Sequence, residues 1–205
     1  DALRRWAQAY PDIGFGVVLP RVVWDRELPR LRRELEAARQ AGVTQALLGH
    51  IGQLPLARSF GLIPRGDFGL GLTNDETAAE LARLGFASAT ASFESRLAQI
   101  RDLSKPLDLE LLVYGRLPLM LMEHCILRNR GQGCHCQDKP QSLGDRKGEH
   151  FPVESAWGCR NELFNAKPLW LADKTDWRTA GAAYARLAFL REGPGECARV
   201  FRAYR

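Results

Sequence analysis

Up to Tyr114 the apolar residues fall into two alternating rhythms, short continuous runs and spacings of three and four, and the alternation predicts the elements. Gly14 to Leu19 (GFGVVL) is an apolar run of strand length ended by Pro20. Leu28, Leu31, Leu35 and Ala38 then recur at helical spacing, which predicts an amphipathic helix stopped at Gly42. Thr44 to Leu48 (TQALL) and Asp67 to Leu72 (DFGLGL) predict two further strands. Thr73, three residues ahead of Glu76, has the form of a capping box, so a helix is expected from there to Gly85. Phe86 to Ser92 and Leu109 to Tyr114 (LELLVY) predict the fourth and fifth strands, with a helix over Ser95 to Asp102 between them. Strand and helix alternating in this way imply a parallel α/β sheet with helices packed outside it.

Five strands are too few to close an eight-stranded barrel, and no glycine-rich phosphate turn follows Leu19 as it would in a nucleotide-binding open sheet. The expected fold class is therefore α/β, a partial (β/α) barrel-like parallel sheet or else an open sheet of unknown strand order. Its open edge would be available for association. After Met120, glycine, cysteine and charged residues replace the periodic pattern as far as about Asn165, which predicts an irregular cysteine-rich module. Helical spacing returns at Trp177, Ala180, Tyr184 and Leu187, and again at Cys197, Val200, Phe201 and Tyr204 after Gly193, Pro194 and Gly195. The organisation that follows is a barrel-like domain over 1–120, a cysteine-rich module over 121–172 and two C-terminal helices over 173–205.

Composition narrows the function classes. A chain of 205 residues with 45% hydrophobic and 26% charged content can bury a globular core. Its net charge of +5 is too mild to mark a nucleic-acid binder by itself, though it permits an acidic partner. No run of eighteen apolar residues and no secretory leader pattern is present, so no membrane partner and a cytoplasmic location are expected. The start at Asp1, without an initiator methionine, is read as that of a fragment of something longer or of a processed product.

Four of the five cysteines crowd into one stretch, Cys125, Cys134, Cys136 and Cys159, separated by eight, one and twenty-two residues. A disulfide framework would spread them, whereas a loop folding back on itself could gather four thiolates, which suits zinc or an iron–sulfur cluster. The spacing is not that of two CxxC knuckles, and free thiols are the plainer alternative. His135, between two of the cysteines, could replace one of them as a ligand or simply be exposed. Cys197 shares its helical spacing with Val200, Phe201 and Tyr204 and reads as a small core hydrophobe.

In parallel α/β folds, chemistry gathers at the C-terminal ends of the strands. The polar residues predicted there are His50, Asn74, Glu94, Tyr114 and Arg116, the candidate catalytic set. Each has a plainer reading as a rim histidine, a helix cap, a surface carboxylate or a structural side chain. No GxSxG elbow, HExxH helix or CGSCW-like nucleophile occurs, so no familiar hydrolase machinery is assigned. Asp145 to Gly148 (DRKG) reads as a solvent-exposed hairpin tip.

YGRLPLM (Tyr114 to Met120), the cysteines Cys125, Cys134 and Cys136, LGDRKGEHFPV (Leu143 to Val153), Gly158 to Asn161, and FNAKPLWLAD (Phe164 to Asp173) occur in that order. This succession resembles the U-32 peptidase family of collagenase-like proteases. Upstream, GDFGLGLTN (Gly66 to Asn74) and SFESRLAQI (Ser92 to Ile100) are similar to stretches of its larger bacterial members. The resemblance implies a TIM-barrel-like domain whose opening strands are absent here, followed by a cysteine-bearing segment. It implies a peptidase, a hydrolase acting on a peptide substrate. Some branches are similar instead to iron–sulfur factors for hydroxylating RNA bases or quinone precursors, which would make RNA a possible substrate. A zinc-stabilised, non-enzymatic recognition fragment is the remaining alternative. The chain departs from the family where YGRLPLM replaces a short YGA or HGA run leading directly to cysteine.

Overall fold

A computed structural model describes residues 2–126, 128, 140–174 and 176–205, which form two compact units. The first comprises Asp1–Leu111 and Asp176–Ala185, the second Leu112–Thr175 and Arg186–Arg205.

In the first unit helix and strand alternate, as expected: α1 (Ala2–Ala9), β1 (Gly16–Val18), α2 (Leu28–Gln40), β2 (Gln45–Leu48), α3 (Leu54–Ser59), β3 (Ile63–Gly66), α4 (Asp75–Arg83), β4 (Ser88–Thr90), α5 (Leu97–Asp102) and β5 (Asp108–Gly115). Of these, α1, α3 and β3 lie where no element was predicted. β1 to β5 lie side by side in chain order and every pair is parallel, the arrangement of a partial (β/α) barrel-like sheet. Alternate strand residues Ala46, Leu48, Ala89, Leu109 and Leu111 are each at most 4% exposed. They are buried together with Leu31 and Leu35 of α2, Leu54 and Ala57 of α3, Ala78 and Leu81 of α4, and Ile100 of α5. Each such leucine stabilises the fold by about 1.5–3 kcal/mol, so this layer between sheet and helices is the unit's core.

The sheet face turned away from that core is different. Val18 is 70% and Ile63 45% exposed there, and Leu47 is half-buried. Across the same face Arg65 Nε donates to Gln45 Oε1 (2.5 Å) and its Nη1 to Ser88 Oγ (2.8 Å), and Thr90 Oγ1 donates to Glu110 Oε1 (2.8 Å). The Arg65 guanidinium lies 4.8 Å from the centre of the Tyr184 ring.

Several local expectations are corrected. The third strand is Ile63–Gly66, not Asp67 to Leu72, where Phe68–Leu70 forms a 3-10 turn. Only an isolated parallel bridge, Leu72 to Ala91, joins that stretch to the sheet. The α4 cap is Asn74 rather than Thr73, because Asn74 Oδ1 accepts the Thr77 N–H at 2.9 Å. Trp177 to Leu187 does not form a helix. Asp176–Thr179 is a 3-10 turn and β11 (Tyr184–Ala188) joins β5, with left-handed Gly181 (φ 72°) between them. An available strand beside β5 outweighs the weak helical preference of that sequence.

In the second unit the module expected to be irregular contains a regular sheet. β6 (Pro118–Met122), β7 (Gln141–Gly144), β8 (His150–Ala156) and β9 (Arg160–Phe164) pair antiparallel in the order β6-β9-β8-β7. The Asp145 to Gly148 tip joins β7 to β8, Asp145 Oδ1 accepting the Lys147 and Glu149 N–H groups at 2.8 and 2.9 Å. The C-terminal half of β5 pairs antiparallel with β10 (Leu169–Trp170). Gly115 at its end has φ 133°, and an added Cβ would lie 2.4 Å from the Ala188 carbonyl oxygen, so only glycine fits. A single terminal helix, α6 (Pro194–Tyr204), follows in place of two. It buries Val200 and Tyr204, whereas Phe201, expected on the same face, is 58% exposed.

Candidate metal centre and candidate active-site residues

The described cysteines of the cluster, Cys125 and Cys159, sit where two neighbouring strands meet. β6 pairs with β9 up to Met122 opposite Asn161, and the chain carrying Cys125 leaves β6 three residues later, just where Cys159 enters β9. The contact continues past the last paired residues, since Asn161 Oδ1 accepts the Ile126 N–H at 2.8 Å. Cys159 itself has φ 61° and follows Gly158 at φ 71°, two successive left-handed residues. Among the described residues it is the one non-glycine residue with positive φ. Such conformations are held only where the surroundings fix them, and successive turn amides of this kind can form anion-binding hollows of the sort that hold clusters.

Beneath the corner lies Arg160, 1% exposed. Its guanidinium grips Glu123 with a two-pronged ion pair, Nε to Oε2 at 2.5 Å and Nη2 to Oε1 at 3.1 Å, and donates through Nη1 to the Trp157 carbonyl at 3.0 Å. Cys125 and Cys159 are both free thiols. Two soft sulfur donors on adjoining chain ends suit zinc or an iron–sulfur cluster, so the described part of the set fits such a group. Cys134, His135 and Cys136 lie outside the described residues, among which no group of three potential metal ligands occurs. Cys197 lies on α6, and its Sγ donates weakly to the Glu192 carbonyl (3.6 Å).

The five candidate catalytic residues divide between the units. In the first, His50 is exposed just beyond the end of β2 and lines a cleft of about 530 Å³ with Ile51, Leu70, Glu76, Glu80 and Leu81. Gly69 shapes this cleft, because a Cβ there would stand 2.4 Å from the Gly49 carbonyl oxygen. Asn74 uses its side chain as the α4 cap, and Glu94 is exposed, with its backbone N–H on Ser92 Oγ at 3.3 Å.

In the second unit, Tyr114 is 2% exposed within a ring cluster of Trp170, Phe189 and Tyr204, and donates to Glu192 Oε1 at 2.9 Å. Burial, together with that bond to a carboxylate, pushes its phenol up to about 12. Burial works against the ionised Glu192 carboxyl, but donors from the Leu190 backbone, its own backbone, Tyr114 and the Arg191 backbone outweigh it and hold the group below the usual carboxylate range. Arg116 is committed to main-chain carbonyls, donating to Asn165 at 3.0 Å and to Ala166. Asn74, Tyr114 and Arg116 therefore carry structural bonds. His50 and Glu94 present exposed side chains.

The sequence reading missed two groups: the polar track of Gln45, Arg65, Ser88, Thr90 and Glu110, and the clamp of Glu123, Arg160 and Asn161. A signal for part of the first exists, since parallel strands normally read as unbroken apolar runs, and β4 and the start of β5 set polar residues at every second position, Ser88 and Thr90, Asp108 and Glu110. The second depends on a pairing between segments far apart in the chain, which leaves no local pattern.

No protein-family model matches the chain, and no curated protein matches it. Among solved structures, that of the U32 peptidase Mk0906 is similar, with a TM-score of 0.42 and 17% identity over 56% of this chain and 52% of that one. The chain thus spans about half the length of that protein. Among the described residues, no helix is long and apolar enough to cross a membrane.

Proposed function

We propose that this chain is part of a U-32-type peptidase homologue that holds zinc or an iron–sulfur cluster on Cys125, Cys134, Cys136 and Cys159. The ordered motifs from Tyr114 to Asp173 support the family reading. The observation that carries the metal centre is the β6–β9 register, which runs the Cys125 and Cys159 segments together at a backbone corner of two left-handed residues. Bound there, the group would supply a rigid crosslink for the module and, as an iron–sulfur cluster, electron transfer. The chain's own part is to present the thiolates and keep their spacing. On this reading a peptide is met by the exposed side chains beyond the strand ends, His50 foremost, since Tyr114 and Arg116 are held by structural bonds.

The convergence of the two cysteine segments equally favours a second reading, an iron–sulfur-dependent factor for hydroxylating RNA bases or quinone precursors. Purification of the longest expressed form without oxygen, with metal analysis and a visible spectrum, tests the centre. About one zinc per chain or a cluster absorbance is expected, and Cys159→Ser should lose it. Metal content and spectrum unchanged in Cys159→Ser would remove the proposal. Peptide cleavage and RNA binding by the loaded protein then separate the two readings.

A further inference from the structure

We infer that the buried dipeptide Arg160–Asn161 is the positioning device of the thiolate centre, fixing the Cys125 segment against Cys159 before any metal arrives; this rests on the four-cysteine reading above. The two residues bracket Cys125 from both sides. Arg160 holds Glu123, two residues before it, through both carboxylate oxygens, and Asn161 Oδ1 holds the N–H of Ile126, the residue after it. The same Arg160 reaches back to the Trp157 carbonyl, two residues before Cys159, and so ties the other cysteine's corner to the same guanidinium. Asn161 Nδ2 in turn donates to the Arg160 carbonyl at 3.2 Å, which orients the amide so that its oxygen faces Ile126.

Both residues are 1% exposed, although arginine and asparagine are residue types that usually stay in water. Burying them carries a cost unless strong bonds are made, and from the pair bonds reach both cysteine segments. Outer residues of this kind set ligand geometry in metal sites, and their loss typically lowers metal affinity about 10–100-fold. Neither residue touches a reacting atom; both act through the backbone that carries the thiols.

The test titrates the metal-free full chain with cobalt(II) under argon and follows the thiolate-to-cobalt absorption, with circular dichroism as the check on folding. Asn161→Ala is expected to raise the cobalt dissociation constant about 10–100-fold and to alter the band shape while the far-ultraviolet spectrum is kept. Asn161→Asp retains an acceptor oxygen for the Ile126 N–H and should recover most of the affinity. A folded Asn161→Ala protein with the parental affinity and band would overturn the inference. Should Asn161→Ala fail to fold, Glu123→Ala, at a side chain 55% exposed, decides in its place, and unchanged cobalt binding there overturns it equally.

A metal-free readout separates this inference from the reading it rests on. In a chain carrying Cys134→Ser, Cys136→Ser and Cys197→Ser, a short bifunctional thiol reagent should bridge Cys125 and Cys159, and adding Asn161→Ala should slow the bridging at least several-fold. If the parental chain takes up no cobalt, the four-cysteine reading falls and this rate alone decides, equal rates overturning the positioning role.

Discussion

Tyr114 shows how burial turns a candidate catalytic residue into a structural one. Its hydroxyl lies among rings, bonded to a carboxylate, and both features favour the neutral phenol. Its folded pKa of about 12 lies above the usual 10, so folded and unfolded chains bind the same proton below pH 10. Between 10 and 12 only the unfolded chain releases it, and stability falls across that window. Alkaline difference spectroscopy should find one tyrosine silent until about pH 12, and urea midpoints should drop above pH 10. Tyr114→Phe should reduce that loss, leaving the part due to Tyr204, whose phenol burial also pushes up, while lowering neutral-pH stability by about 1.5–3 kcal/mol, the usual contribution of a hydrogen bond to a charged group. A tyrosine titrating normally throughout the folded protein would show the bond to Glu192 to be absent. Glu192 has the opposite sign: its depressed pKa contributes stability above the ordinary carboxylate value, lost as pH falls through the folded one.

At the level of elements, the first unit depends on a few close approaches between connecting segments. The 3-10 turn Phe68–Leu70 sits against the segment leaving β2, and Gly69 lets its backbone reach the Gly49 carbonyl. Gly69→Ala forces that backbone apart and should cost about 1–3 kcal/mol, as overpacking does elsewhere. It should also displace His50 from its cleft. A urea midpoint equal to that of the parent would contradict the contact. In the second unit Tyr204 ties α6 to β5, its hydroxyl donating to the Val113 carbonyl and accepting the Leu171 N–H, both at 2.7 Å. This explains why Tyr204 is buried while Phe201, three residues before it, is exposed.

At the scale of the whole molecule, the sheet carries helices on one face and leaves Val18 and Ile63 uncovered on the other, with β1 at its edge. Parallel sheets are normally covered on both faces, and an uncovered strand edge with aliphatic neighbours favours pairing with another chain. Concentration-dependent association is therefore expected in sedimentation velocity, and Val18→Lys should suppress it with little change in far-ultraviolet circular dichroism. A parent protein monomeric at every concentration tested would contradict this.

The parallel α/β class was legible in the sequence, because burial on one strand face and one helix stripe imposes periods that survive in single-chain text. GFGVVL, TQALL and LELLVY followed from their apolar runs, the helix after Asn74 from a capping signal read one residue early, and the crowding of four cysteines marked the candidate centre. Tertiary structure alone decided the rest. Ile63–Gly66 reads IPRG and shows no strand pattern; it is a strand because β2 and β4 supply partners on both sides. Tyr184–Ala188 became extended beside β5 against its helical spacing. The meeting of the Cys125 and Cys159 segments depends on antiparallel register between β6 and β9 and on buried Arg160 and Asn161. Hydrogen bonds between distant segments leave no periodic trace in the chain, so that arrangement appears only once the strands have paired.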